Sequence, residues 1–240
     1  MSAEGAVLFA RYAYPPNELG YCGPEGAEAM LDAFAVADIE RRARRFDGAW
    51  SYLEVLAESL DNADPLATDV VEAYWVGSDL LDGVEPATLV ERLEDRFRGQ
   101  PGGTWRAAVD RARAHHSFQV FEVYPWAGLL QAGRPPEPAV HVLDRCRIRV
   151  GVAQSVTGET LEVATHPLSW DGTALRRSGE VFERVRWSVD GRTLIRTPEP
   201  GDLLALHWDW VCDILTPDQA RLVGELEDRQ RHAVGLTPIG

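Results

Sequence analysis

The sequence contains no lysine; all 24 of its basic residues are arginine. Lysine codons are AT-rich and arginine codons GC-rich, so this absence follows genomic base composition. Cysteine is also scarce. Cys22, Cys146 and Cys212 form an odd, widely spaced set, which excludes a disulfide framework and leaves free thiols in a reducing compartment. There is no Cys-x-x-Cys pair, which argues against a structural zinc site. No apolar run approaches the roughly 18–20 residues of a membrane span. The N-terminus lacks the basic start of a secretory signal, so the expected location is cytoplasmic. Positive charge is in deficit: 38 acids against 24 arginines give a net charge of −14. That excludes non-specific nucleic-acid binding, which needs a basic surface to displace counterions. Of the 38 acids, 23 fall in residues 1–140, against 12 of the 24 arginines, so the first part is the one suited to a basic partner.

What is present is an ordinary globular composition, 45% hydrophobic and 26% charged. In the first part the apolar residues recur with helical period. Pro24 opens one stretch through Ala29, Met30, Ala33, Phe34 and Ala37, and Trp50, Leu53, Val55 and Leu56 belong to a second helical stretch. Pro65 starts another through Val70, Val71, Tyr74 and Trp75. Glu85-Pro86 begins a helix with Leu89, Leu93 and Phe97 on one face. Gln100-Pro101-Gly102-Gly103 is a break, after which Thr104 caps a last helix through Ala112. Residues 12–23, rich in Tyr, Pro and Gly, read as an N-terminal loop. Phe118–Tyr124 alternates and reads as a strand. Gly133–Pro138 reads as a stiff linker.

Beyond it the period becomes two. Strands are expected at 147–156, 160–165, 182–189, 193–196 and 203–208, with Asp190-Gly191 as a hairpin turn. Thr216-Pro217-Asp218 supplies an N-cap, a first-turn proline and an acid for a C-terminal helix. The expected fold is α+β. Residues 1–132 form a mainly α-helical domain of unassigned role, and 140–236 a small OB-like β-barrel with a C-terminal helix.

Two stretches carry candidate chemistry. Asp144-Arg145-Cys146-Arg147-Ile148-Arg149-Val150-Gly151 places a cysteine at the mouth of the first strand. Pro200-Gly201-Asp202-Leu203-Leu204-Ala205-Leu206-His207 ends an apolar strand in a histidine. Thiolate is a soft ligand and imidazole a borderline one, so the pair suits a soft or borderline metal centre. Arg145, Arg147 and Arg149 would lower the Cys146 thiol pKa and attract an anionic complex.

This order of Cys, Gly, Pro-Gly turn, strand-end His and helix, over roughly 144–235, resembles the HypC/HupF family of NiFe hydrogenase assembly chaperones. The resemblance implies that Cys146 and His207 are metal ligands. It also implies that Arg145, Arg147 and Gly151 help to bind an iron fragment carrying cyanide and carbonyl ligands. The partners it implies are the hydrogenase large subunit and other maturation proteins, with the chain acting as a chaperone rather than as an enzyme.

Two further readings remain open. Cys146 as nucleophile with His207 as base would make a hydrolase or transferase, although no Gly-x-Ser-x-Gly motif accompanies them. A metal-free barrel would serve as an interaction module. Cys212 reads as core. His115 and His116, adjacent in the chain, face opposite ways in a strand and cannot readily chelate together; one is a ligand or acid/base group, or the pair caps a helix end. Cys22 lies in the N-terminal loop with no role assigned.

Overall fold

The computed structural model describes residues 2–60, 64–100 and 103–234. Pro101 and Gly102 of the expected break, and residues 235 and 236 at the end of the expected barrel region, lie outside them.

The chain opens with helix α1, Ala3–Glu18, whose N-cap Ser2 accepts from the Gly5 N–H at 3.2 Å. Most of the loop expected at 12–23 is therefore helix. Tyr12 and Tyr14 are buried on its inner face, and burial of two aromatic rings outweighs the two backbone bonds that Pro15 and Pro16 forfeit in the last turns. Pro24 opens no helix. It sits between Gly23 and Gly26, both left-handed at φ 84° and 82°, and a short 3-10 turn forms only at Ala27–Leu31.

Helices α2 (Val36–Ala43), α3 (Asp47–Ser59), α4 (Thr68–Trp75) and α5 (Pro86–Phe97) follow. The helix expected after Thr104 is instead two 3-10 turns, Trp105–Ala107 and Val109–Arg111. The Thr104 hydroxyl bonds the Glu122 carboxylate rather than capping.

Residues 118–124 are not a strand. A single helical turn, α6 (His116–Phe118), runs into a π-turn at Gln119–Val123, closed by the Tyr124 N–H on the Gln119 carbonyl at 2.9 Å. Every side chain from Phe118 to Val123 is buried, so the apparent alternation marks no solvent face. Glu122, polar and buried, is held by Arg111. Helix α7 spans Trp126–Gln131. The expected linker at 133–138 contains the start of helix α8, Pro136–Cys146, with a proline at its first position, where the missing N–H costs nothing.

The strands are β1 (Arg149–Thr157), β2 (Thr160–Thr165), β3 (Leu168–Trp170), β4 (Leu175–Arg177), β5 (Val181–Arg186), β6 (Leu203–His207) and β7 (Trp210–Leu215). Five of them close a ring-like mixed sheet in the order β1-β2-β5-β7-β6, with β6 back against β1; β3 and β4 form a separate hairpin. All ring pairings are antiparallel except one parallel contact, Arg186 with Trp210, so β5–β7 is a thin seam. Asp190 and Gly191 make the expected two-residue turn at φ 51° and 71°. Residues 193–196, however, form no strand. Helix α9, Pro217–Ala233, starts from a full capping box between Thr216 and Gln219. The α+β expectation holds: helices first, then a small ring of strands and a terminal helix.

Ala153, Leu161, Val163, Val185, Leu204, Leu206 and Val211 fill the ring. The larger apolar core joins α1, α3 and α4 to Ile148, Ala205, Trp210 and Cys212 of the sheet, so Cys212 is core as expected. Arg11 chelates the Asp213 carboxylate at 3.0 Å, and Tyr14 meets Trp210 edge-on at 4.8 Å. These contacts lay α1 across β6 and β7, which sets the end of β6 against the last turns of α1.

Gly151 is a strand residue and not a turn glycine. A β-carbon there would stand 2.4 Å from Val163 Cγ1 and 3.0 Å from Leu206 Cδ1. Gly151→Ala should therefore cost about 1–3 kcal/mol by overpacking, measured by urea unfolding, and should leave ligand binding by the remaining fold unchanged.

Candidate metal centre

Three buried side chains meet between the helical part and the sheet. His116, Cys146 and His207 present ligand atoms that all lie within 4.8 Å of one another. Each comes from the end of an element. His116 opens α6, Cys146 ends α8 and His207 ends β6.

The His207 ring is oriented by a defect in α1. Pro16 has no N–H, so the carbonyl of Tyr12, four residues back, loses its helical donor. His207 Nδ1 takes that place at 2.8 Å. A carbonyl only accepts, so Nδ1 carries the hydrogen. Burial holds the ring neutral, with its pKa well below the usual range. Nε2 is then a bare lone pair, buried and without a hydrogen-bond partner of good geometry, with the Cys146 carbonyl nearby. A second-shell carbonyl fixing one ring nitrogen while the other is left free is the arrangement that metal-ligating histidines show.

His116 is held from both sides. Nε2 donates to the Cys146 carbonyl at 2.8 Å, and Nδ1 lies 3.2 Å from the Tyr74 hydroxyl. That hydroxyl also faces the Gly48 carbonyl at 2.7 Å, so its single hydrogen is contested. Burial lowers the His116 pKa to about 4. Ligation through His116 requires one of these two bonds to yield. Trp75 walls the site, its ring 4.6 Å from His116 and 5.8 Å from His207, and the two imidazoles lie 5.1 Å apart.

Cys146 is 7% exposed, and burial pushes its thiol up, opposite to the acidification expected from its arginine neighbours. Those arginines are engaged elsewhere. Arg145 pairs with Glu183. Arg147 bridges Asp144 and Glu227, each at 2.8 Å. Arg149 pairs with Glu183 and donates to the Trp208 carbonyl at 2.5 Å. They build the wall around α8 and β1. Gly151 lies inside the sheet, as described above.

The cavity among these groups is small, about 20 Å³, and is also lined by Pro16, Cys22 and Tyr124. That volume holds roughly one water or one ion. A thiolate and two imidazoles suit borderline d-block cations such as zinc(II). Zinc–ligand bonds of about 2.0–2.3 Å place the tetrahedral ligand atoms of a His2Cys set roughly 3.3–3.6 Å apart. Relative to the 4.8 Å limit on the present separations, an ion would shorten the longest by up to about 1.5 Å. The group can bind a metal.

Of the residues expected from the sequence, the structure brings Cys146 and His207 together and adds His116. His115 takes the capping role, its Nδ1 accepting from the Ser117 N–H at 3.1 Å. Because residues 115–116 open a helical turn, one histidine caps it and the other reaches the site. The signal missed in the sequence was Pro15-Pro16 after a helical apolar pattern, which marks the free carbonyls of α1.

The three buried histidines have folded pKa values below the unfolded value of about 6.5; His115 is near 3 and His116 near 4. The unfolded chain therefore binds the extra protons. Stability of chelator-treated protein is full above that value and falls as the pH drops toward 4, by about 1.4 kcal/mol per histidine per pH unit. Urea unfolding at about pH 7.5 and 5.5 should differ by roughly 4 kcal/mol. Separately, Pro16→Ala returns a helical donor to the Tyr12 carbonyl. Nitrogen-15 NMR of the His207 side chain should then show the Nδ1–H tautomer diluted by the Nε2–H form.

Over residues 1–237 the chain matches the family described as Family of unknown function (DUF6390). No curated protein and no solved structure matches it. The family match runs through both the helical part and the sheet, and no match to the HypC/HupF chaperones accompanies it. This overturns the resemblance drawn from residues 144–235. A strand-end histidine and a cysteine before a strand are short features, and here they belong to a longer unit that includes α1 and α6. The chain is a member of the DUF6390 family.

Proposed function

We propose that the protein binds a single d-block metal ion, zinc(II) by the chemistry of its donors, between His116, Cys146 and His207. The observation that carries this is the buried His207 Nε2, unpartnered and aligned by the Tyr12 carbonyl, beside a thiol and a second imidazole. An unsatisfied buried nitrogen costs about 1–3 kcal/mol, and a bound cation removes that cost.

The same geometry disfavours Cys146 as the nucleophile of a hydrolase or transferase. Its thiol is shifted away from the thiolate, and the cavity beside it, about 20 Å³, is small for an organic substrate. The iron–cyanide–carbonyl cargo and the hydrogenase large subunit rested on the family resemblance, and an ion alone is the ligand that fits the space. No helix among the described residues is long and apolar enough to cross a membrane.

The test is competitive titration with zinc on the full-length protein, with elemental analysis of the purified material. Wild type should take up one equivalent. His207→Ala and Cys146→Ser should each weaken binding by more than the roughly 10–100-fold that loss of a supporting hydrogen bond costs, with circular dichroism showing that the variants remain folded. Zinc uptake by both folded variants equal to wild type would sink the proposal.

A further inference from the structure

Cys22 lines the same small cavity as the three ligand candidates. It is not among the atoms already within ligand distance of one another. Its backbone is fixed next to theirs. The Cys22 N–H reaches the Pro16 carbonyl at 3.4 Å, and Asn17 Nδ2 holds the Cys22 and Pro24 carbonyls at 2.9 and 2.7 Å. The turn that carries it leaves α1 through Gly20 and Gly23, both left-handed, and Tyr21 beside it stacks on Trp208 at 4.1 Å. Cys22 is thus held at the cavity wall by its main chain, and burial pushes its thiol pKa up as it does that of Cys146.

Charge decides what that thiol is for. A divalent cation with Cys146 as its only anionic ligand leaves a net charge of +1 in a buried, aromatic-walled site, where an uncompensated charge is costly. Among the described residues no carboxylate lines the cavity. The charged group that faces His207 is the Arg149 guanidinium, itself positive and committed to Glu183. Besides Cys146, the acidic groups on the wall are the phenols of Tyr74 and Tyr124 and the thiol of Cys22. Of these, a thiolate is the donor that borderline and soft metals favour.

We propose that Cys22 is the fourth ligand, completing a neutral, tetrahedral His2Cys2 site with His116, Cys146 and His207. Both thiols release their protons to solvent as the two sulfur–metal bonds form. The site then joins the turn that follows α1 to α6, α8 and β6 through one atom. This rests on the metal-binding reading above and goes further in naming the ligand set and its geometry.

The experiment uses full-length protein loaded with cobalt(II), whose near-ultraviolet sulfur-to-metal charge-transfer absorption scales with the number of thiolates bound. Cys22→Ser should bind cobalt and show about half the wild-type absorption per cobalt. Equal absorption per cobalt in wild type and Cys22→Ser, with all of it lost in Cys146→Ser, would overturn the proposal and leave the three-ligand site standing. Failure of wild type to bind cobalt or zinc at all would overturn both. A second readout needs no variant: zinc should slow alkylation of Cys22 in the wild-type protein by about tenfold or more, since a metal-held sulfur is a poor nucleophile. An unchanged alkylation rate at saturating zinc contradicts the assignment.

Discussion

The site depends on one hydrogen bond, from His207 Nδ1 to the carbonyl of Tyr12. It exists because Pro16 cannot donate to that carbonyl. The bond ties the end of β6 to the last turns of α1 across 195 positions of sequence. It fixes the tautomer of a neutral imidazole and leaves the other nitrogen without a hydrogen-bond partner of good geometry. A defect in a helix thereby becomes an acceptor for a strand. The packing of α1 on β6 and β7, through Arg11 with Asp213 and Tyr14 with Trp210, holds the two in register.

The same economy runs through the rest of the centre. His116 reaches the site from a helical turn that its neighbour His115 caps. The carbonyl of Cys146, freed at the end of α8, accepts from His116, so the thiol residue also orients one of the imidazoles that share its cavity. Burial is what makes these neutral, directional donors useful. It lowers both imidazole pKa values and raises the thiol, so without an ion the set is uncharged and compatible with an aromatic wall. The arginines flanking Cys146 serve the scaffold. Arg147 sits between Asp144 of α8 and Glu227 of α9, and Arg145 and Arg149 converge on Glu183 of β5.

Where local chemistry decides the structure, the sequence was legible. The capping box at Thr216, the turn at Asp190-Gly191 and the apolar face of α5 are all set by neighbours in the chain, and the α+β order followed from them. Where tertiary burial decides, it was not. The segment 118–124 alternates like a strand yet coils into a π-turn, because all of it is interior. Pro135 and Pro136 suggest a stiff linker, and they begin a helix. Cys146 and His207 are legible as candidates from the sequence, although Cys146 ends helix α8 rather than opening a strand and the family match is to DUF6390 and not to the chaperones. His116 could not be paired with them from spacing alone, since the contact depends on α6, α8 and β6 converging across the core. The role of Pro16 becomes visible only once the carbonyl it frees has a partner.

The most direct measurement is anomalous diffraction at the zinc absorption edge from crystals grown with zinc. A zinc ion held by these side chains gives one strong peak in the cavity, about 2.0–2.1 Å from His207 Nε2 and about 2.3 Å from Cys146 Sγ. A map with the cavity empty and zinc only on surface carboxylates would contradict it.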